Sequence, residues 1–348
     1  MFTIKFITNF MGVGKDDAPK PQHEQPKPIP KPKPKHNMQI VDSQVVADGD
    51  SVQTWVVAHK DSQLYFAINE GHMSRADIEQ ADPSTWTTSA TSLSPQQLNH
   101  ADVFPGASAE YTEYEYFEDQ EVYLKTHRVV QFRRPINLAW TRHREIMACE
   151  HLRLYPHPNI CEYLGVWSDD KLRYEWQGKR INVPLDKDRV TKVVFKKYDC
   201  NLSEAVTNAH PVDIAHCLRS IAAGLEHLHS IGYVHSDIKP ENIFVLYLKA
   251  DEEDAETAAQ YVVGDFDSVQ VAGNILTGKA GTPGWARPKK RGDVVNEADD
   301  WYAFRELKKW LIVFQDAYMM EFEGIGKSFV EKKVMKGIAR RSTIEVRE

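Results

Sequence analysis

Cysteine is scarce in this chain: only Cys149, Cys161, Cys200 and Cys217 occur among 348 residues, and their spacing matches no metal-ligand pattern. A cysteine-built metal site is thereby excluded. A charge excess of one sign is also missing, since 43 basic residues face 50 acidic ones for a net charge of -7. Nothing in that balance asks for nucleic acid or an anionic membrane. No apolar run approaches the ~20 residues of a membrane-crossing helix. The opening Met1–Phe10 is apolar but short and lacks a small-residue cleavage site, so it reads as a terminal segment rather than a secretory leader. A reduced intracellular compartment, cytoplasmic or nuclear, is the expectation. What is present suffices for a core, because 42% of residues are hydrophobic and the length allows two domains or one two-lobed domain.

The chain changes texture along its length. Residues 1–37 are rich in Lys and Pro, which cannot bury a core and favour an extended, solvated tail. A groove of another protein lined by aromatic residues could take such a tail as a ligand. Residues 38–100 form an extension in which Thr54-Trp-Val-Val-Ala and Gln63-Leu-Tyr-Phe-Ala-Ile predict a hairpin. A Ser/Thr-rich loop follows over 84–97. From 111, Tyr-Thr-Glu-Tyr-Glu-Tyr-Phe alternates aromatic and polar residues at period two, which predicts a strand.

Residues 234–245, Val-His-Ser-Asp-Ile-Lys-Pro-Glu-Asn-Ile-Phe-Val, concentrate chemistry on one short loop. Asp237, Lys239 and Asn242 set a carboxylate, a cation and an amide oxygen between apolar runs. This stretch resembles the catalytic loop of the eukaryotic protein kinase family, serine/threonine type, as a divergent member. The resemblance implies that Asp237 orients and deprotonates a substrate hydroxyl, Lys239 steadies the phosphoryl group in transfer, and Asn242 holds magnesium.

Other stretches carry the resemblance in order. Val122-Tyr-Leu-Lys125 is similar to the strand whose lysine grips the phosphates of ATP, a role for a point charge on a rigid support. Apolar positions 146, 149 and 152 recur at helical spacing, and Glu145 at the head of that stretch matches the helix glutamate that pairs with the lysine. Glu150 competes on the same helix, but Glu145 leaves Cys149 and Leu152 in better register toward a core. His157-Pro-Asn-Ile resembles the family's turn into the next strand.

After a polar insert over 168–190, Lys192-Val-Val-Phe-Lys-Lys-Tyr-Asp reads as a buried strand. The resemblance gives it Phe195 beside the nucleotide and a hinge from Lys196 through Lys197 to Tyr198, whose backbone would bond adenine. Apolar steps at 214, 218, 221, 225 and 228 predict a core helix over 211–229, with Pro211 in its first turn. A strand over 243–248, an acidic insertion from Ala250 and a returning strand at Tyr261 come next. Gly264-Asp-Phe-Asp267 stands where the family has Asp-Phe-Gly, so Asp265 would carry magnesium and Phe266 would anchor in the core. Gly281-Thr-Pro-Gly-Trp resembles the end of the activation segment, with Thr282 shaping the substrate platform. Asp300 opens a helix and would accept backbone hydrogen bonds from the catalytic loop.

The implied fold class is α+β and two-lobed. A small antiparallel β lobe with one helix spans 101–198, a mainly helical larger lobe spans 199–348, and ATP with Mg²⁺ lies in the cleft between them. The departures are as specific as the matches. No Gly-x-Gly-x-x-Gly precedes Lys125; Phe104-Pro-Gly-Ala-Ser-Ala offers the single glycine Gly106 to approach phosphate, which predicts weakened ATP binding. Ser236 replaces the loop arginine that pairs with a phosphorylated activation segment, so control by that route is not expected. Lys289 stands where a glutamate makes a structural ion pair, which is then lost or reversed. Few residues follow Arg305, so the large lobe is expected to be truncated or completed by a partner. Two activities fit these residues: Mg-dependent transfer of the γ-phosphoryl group of ATP to Ser/Thr hydroxyls of a protein substrate, or a pseudokinase acting as a nucleotide-binding scaffold. Transfer to a small molecule is disfavoured by Lys239 and the segment around Thr282.

Overall fold

Alternation of apolar and polar residues builds the first sheet. The structure, a computed structural model, describes residues 38–48, 51–80, 96–117, 120–126, 129–131, 138–176, 178–248, 259–276, 281–290 and 292–322. Gln39–Asp48 (β1), Ser51–Lys60 (β2) and Gln63–Glu70 (β3) form an antiparallel meander. Asp61 and Ser62 close the β2–β3 hairpin with φ of 49° and 63°, the left-handed pair that a two-residue turn of the right twist requires. Arg75–Gln80 (α1) follows, and Gln96–Leu98 (β4) then completes the order β1-β2-β3-β4. The short helix His100–Val103 (α2) comes next, its N-terminus capped by the Asn99 side chain, which accepts from the Ala101 N–H.

A second sheet holds Val122–Lys125 (β5), with Tyr163–Trp176 (β6) and Lys179–Lys196 (β7) after the helix Leu138–Leu154 (α3). Its order is β5-β7-β6, all antiparallel. The polar insert expected over 168–190 is instead a continuation of β6 and β7 into one long hairpin. Its inward residues Leu172, Ile181 and Val183 are buried against Val41, Trp55 and Phe66 of the first sheet and Val103 and Phe104 beside α2. Polar residues interrupt its apolar face, Arg189 among them, buried and donating to the Phe104 carbonyl, which dilutes the period-two signal. The core therefore runs across the boundary expected at residues 100 and 101.

The strand predicted from 111 does not form. The segment makes a single bridge, Glu113 to Val166, flanked by Tyr114 N–H to Val166 O at 2.9 Å and Val166 N–H to Thr112 O at 2.8 Å. Tyr111 is buried in the core, while Tyr116 and Phe117 are left exposed.

The larger lobe starts with Cys200–Asn201 (β8), Leu202–Thr207 (α4) and Ile214–Ser230 (α5). Asn201 and Glu204 form a reciprocal capping box on α4. Asp213 caps α5, accepting from the His216 N–H, so Pro211 lies before the helix rather than in its first turn. Tyr233–Val234 (β9), Ile243–Tyr247 (β10), Ala259–Val263 (β11) and Gln270–Val271 (β12) follow, before Glu297–Phe322 (α6). They pair as β11-β10-β8 and β12-β9. One core joins both lobes, from Ile146, Cys149 and Leu152 of α3 through Val193 of β7 to Ile221 and Leu225 of α5 and Leu307 and Leu311 of α6. Among the described residues no helix is long and apolar enough to cross a membrane. The expected tail at 1–37, most of the Ser/Thr-rich loop, the acidic insertion and the end of the large lobe lie outside the described residues.

Gly165 tests the docking of residues 112–114 on β6. It adopts φ 136°, and a Cβ there would stand 2.6 Å from the Thr112 carbonyl oxygen. Gly165→Ala is expected to destabilise the fold by more than about 1 kcal/mol, read from the denaturant midpoint; a loss within error would show that this segment is not held there.

Candidate functional site

Three charged groups from distant stretches meet where β5, α3 and the segment after β11 converge. Lys125 ends β5, and its Nζ lies 2.5 Å from Oε1 of Glu145, which is buried on the inner face of α3. The same ammonium pairs with Asp265. Burial works against the Lys125 charge, but the Glu145 and Asp265 carboxylates beside it hold its pKa well above the usual lysine range. Asp265 takes φ 61°, a left-handed conformation that is uncommon for a residue other than glycine and recurs at functional sites. Asp267 lies close by; burial, helped by the charge of Asp265, pushes its carboxyl pKa up.

The competitor on α3 has another task. Glu150 accepts the Thr112 N–H at 2.6 Å, the Thr112 hydroxyl at 2.8 Å and the Tyr163 hydroxyl at 2.8 Å. Burial opposes its charge, yet these bonds, with that from Arg153, leave its pKa below the usual carboxylate value.

The loop at 235–242 is held from beneath by one carboxylate. Asp300, buried in the first turn of α6, accepts the N–H groups of His235 and Ser236, each at 2.8 Å, and lies 2.9 Å from His229 Nε2. Ser236 thereby sustains φ 67°. Above this support, Asp237 is 2% exposed. Its Oδ1 accepts from the Thr282 hydroxyl at 2.6 Å, and Lys239 Nζ lies 3.3 Å from its Oδ2 and 3.0 Å from Thr282 Oγ1. Asn242 spends its Nδ2 on the Asp237 carbonyl at 2.8 Å. The segment carrying Thr282 is fixed to α6 by Arg287 and Lys289, which both pair with Asp299. Lys289, which stands where the family has a glutamate, thus makes an ion pair here with Asp299.

A cavity of about 500 Å³ opens between these two groups, lined by Lys125, Phe195, Lys239, Asn242 and Asp265 with the aromatic rings of Tyr123, Tyr198 and Phe244. Its volume suits a small-molecule ligand. Two residues read as nucleotide contacts stand apart from it. Lys197 donates its N–H to the Glu121 carbonyl at 3.2 Å and its Nζ to the Glu121 carboxylate at 3.2 Å, while its neighbours Lys196 and Tyr198 line the cavity. Gly106 pairs with Arg189. The Val190 N–H donates to Pro105 O, and the Ala107 N–H donates to Asp188 O. Those bonds tie the only glycine offered for a phosphate loop to the long hairpin, away from Lys125. Phe244 alternates with the buried Ile243 and Val245 in an ordinary strand and Tyr123 lies on an exposed stretch of β5, so neither carries a sequence signal; only the cleft gives them a shared surface.

A family model described as the protein kinase domain matches residues 116–304, a span that holds every polar group of this cluster. A probable serine/threonine-protein kinase of Dictyostelium discoideum is 33% identical over 156 residues, 44% of this chain and 8% of that protein. Calcium/calmodulin-dependent protein kinase type 1B of Rattus norvegicus is 36% identical over 78 residues, 22% of this chain and 21% of that protein. A probable serine/threonine-protein kinase of Saccharomyces cerevisiae is 24% identical over 159 residues, 44% of this chain and 12% of that protein. The similarity thus spans a small part of each of these relatives.

Removing the Asp300 carboxylate would leave two buried backbone donors without an acceptor. Asp300→Ala is expected to cost about 1–3 kcal/mol for each N–H left unpaired, measured by equilibrium unfolding; a loss below about 1 kcal/mol would show that the loop holds its shape without this support.

Proposed function

The chain belongs to the protein kinase domain family, and on that premise we propose that it transfers the γ-phosphoryl group of ATP to a serine or threonine hydroxyl of a protein substrate. The observation that carries the reading is the Lys125 ammonium shared between Glu145 and Asp265 on the wall of a cavity that also takes in Lys239 and Asn242. Charge held in place before the substrate arrives is what phosphoryl transfer asks of a protein, since little covalent work falls to it.

In this reading Lys125, fixed by Glu145, orients the nucleotide's phosphates. Asp237 receives the proton of the substrate hydroxyl as the new O–P bond forms and the bond to the departing ADP breaks. A carboxylate oxygen has two lone pairs, so the bond from Thr282 leaves room for that proton. Lys239, bonded to Thr282 and next to Asp237, neutralises the phosphoryl oxygens and ties the substrate platform to the loop. Asp265 and Asn242 suit a magnesium ion because both offer hard oxygen donors, and Asn242 keeps its amide oxygen when its Nδ2 is committed to Asp237. Among the described residues no group of three His, Cys, Asp or Glu side chains could hold a metal by itself, so phosphates and water would supply the remaining ligands. Such an ion, once bound, withdraws charge from the transferring phosphoryl group.

A second reading, a scaffold that binds nucleotide without turnover, draws support from Gly106, whose place on the hairpin leaves the phosphates without a glycine-rich cover from that segment. The two readings separate in one assay with ATP, Mg²⁺ and a generic protein acceptor. Phosphoryl transfer is expected from the parent protein and is expected to fall ~10²- to 10⁴-fold in Asp237→Asn; ATP-dependent thermal stabilisation without any transfer would establish the scaffold instead. Because Ser236 offers no guanidinium to a phosphorylated segment, phosphatase treatment is expected to leave the activity unchanged, and its abolition would show control by phosphorylation.

A further inference from the structure

Residues 104–112 reach α3 at three places. The Arg142 guanidinium lies over the Phe104 ring, 4.6 Å from its centroid. Tyr111 Oη lies 2.6 Å from His143 Nδ1. Thr112 gives its N–H to one oxygen of Glu150 and its hydroxyl to the other. These anchors fall at 142, 143 and 150, so they grip the helix on both sides of Glu145 along its length.

The anchors are costly for a helix that merely fills space. Arg142 is 2% exposed, and among the described residues its three guanidinium nitrogens have no hydrogen-bond partner. Glu150 is a nearly buried carboxylate. Apolar side chains at both positions would stabilise a passive helix at least as well. What Glu150 adds is register, because a carboxylate that accepts both an N–H and a hydroxyl from one residue admits a single placement of helix against segment. The far end of the segment is equally fixed: Phe104 and Val103 share the core of the first sheet with Trp55 and Phe66.

We propose that residues 104–112 are a built-in clamp that holds α3 with Glu145 against Lys125, and that Tyr111, Thr112 and Glu150 are positioning residues for phosphoryl transfer. The inference rests on the phosphoryl-transfer reading above. It makes the extension a permanent part of the catalytic lobe: the Lys125–Glu145 pair assembles from within the chain, in keeping with the absence of an arginine at 236.

The test is the double variant Tyr111→Phe, Thr112→Val, with Thr112→Ser as the conservative control, each followed by kcat, KM for ATP and hydrogen exchange of the α3 and α5 amides. A misplacement of about 1 Å costs up to ~10²-fold in rate, so kcat is expected to fall at least about tenfold. Exchange should quicken in α3 but not in α5, and Thr112→Ser should retain the parent's values. Unchanged kcat per folded molecule overturns the proposal, whether or not α3 exchanges faster, and so does equal loosening of α3 and α5. If the parent protein transfers no phosphoryl group, the functional reading fails. The clamp is then judged by α3 exchange and by the ATP-induced thermal shift of the parent and the double variant, and no difference in either overturns it.

Discussion

The site depends on holding one ammonium, itself little exposed, between the buried Glu145 carboxylate and the partly exposed Asp265 carboxylate. Lys125, Glu145 and Asp265 come from a strand, a helix and a left-handed turn, and each element is fixed by different packing. A charge with lost hydration is costly unless its partners are already in position. The elements that carry these groups share one packed core, running from α3 to α6. Asp267 sharpens the requirement, since a third acid beside one ammonium leaves surplus negative charge that phosphate would worsen and a divalent cation would relieve.

The same economy governs the other wall. Asp300 satisfies two backbone donors and approaches a histidine with one buried side chain, so the loop above it keeps a conformation that includes a non-glycine residue at positive φ. Thr282 then couples Asp237 to the segment that Asp299 fastens to α6. Asp237, Lys239 and Thr282 are thus parts of a single hydrogen-bonded assembly rather than separate attachments.

Much of this was legible from the chain before any coordinates. The loop within 234–245, Lys125 with Glu145, and Asp265 were each found through short motifs that resemble the family's and tolerate large insertions between them; the structure joins Lys125, Glu145 and Asp265 and sets Lys239 and Asn242 on the same cavity. Once the resemblance called for a helix glutamate, helical register favoured Glu145 over Glu150, and Glu145 is the one that meets Lys125. The failures have a common cause: they concern surfaces made by segments far apart in sequence. Leu172, Ile181 and Val183 look like scattered apolar residues in a polar stretch until the first sheet covers them. Gly106 looks available for phosphate until its neighbours pair with β7. The aromatic alternation from 111 predicts a strand, but a strand needs a partner along its length, and among the described residues this stretch forms only the Glu113–Val166 bridge.

The shared core of the first sheet and the long hairpin has a consequence for how this protein can change over time. Kinase lobes are commonly imagined as cassettes to which accessory pieces are added and removed. Here a cut at residue 100 would take Val41, Trp55 and Phe66 away from Leu172, Ile181 and Val183 and from the Phe104 end of the segment that reaches α3, so the accessory piece is a structural part of this lobe's core rather than an attachment to it.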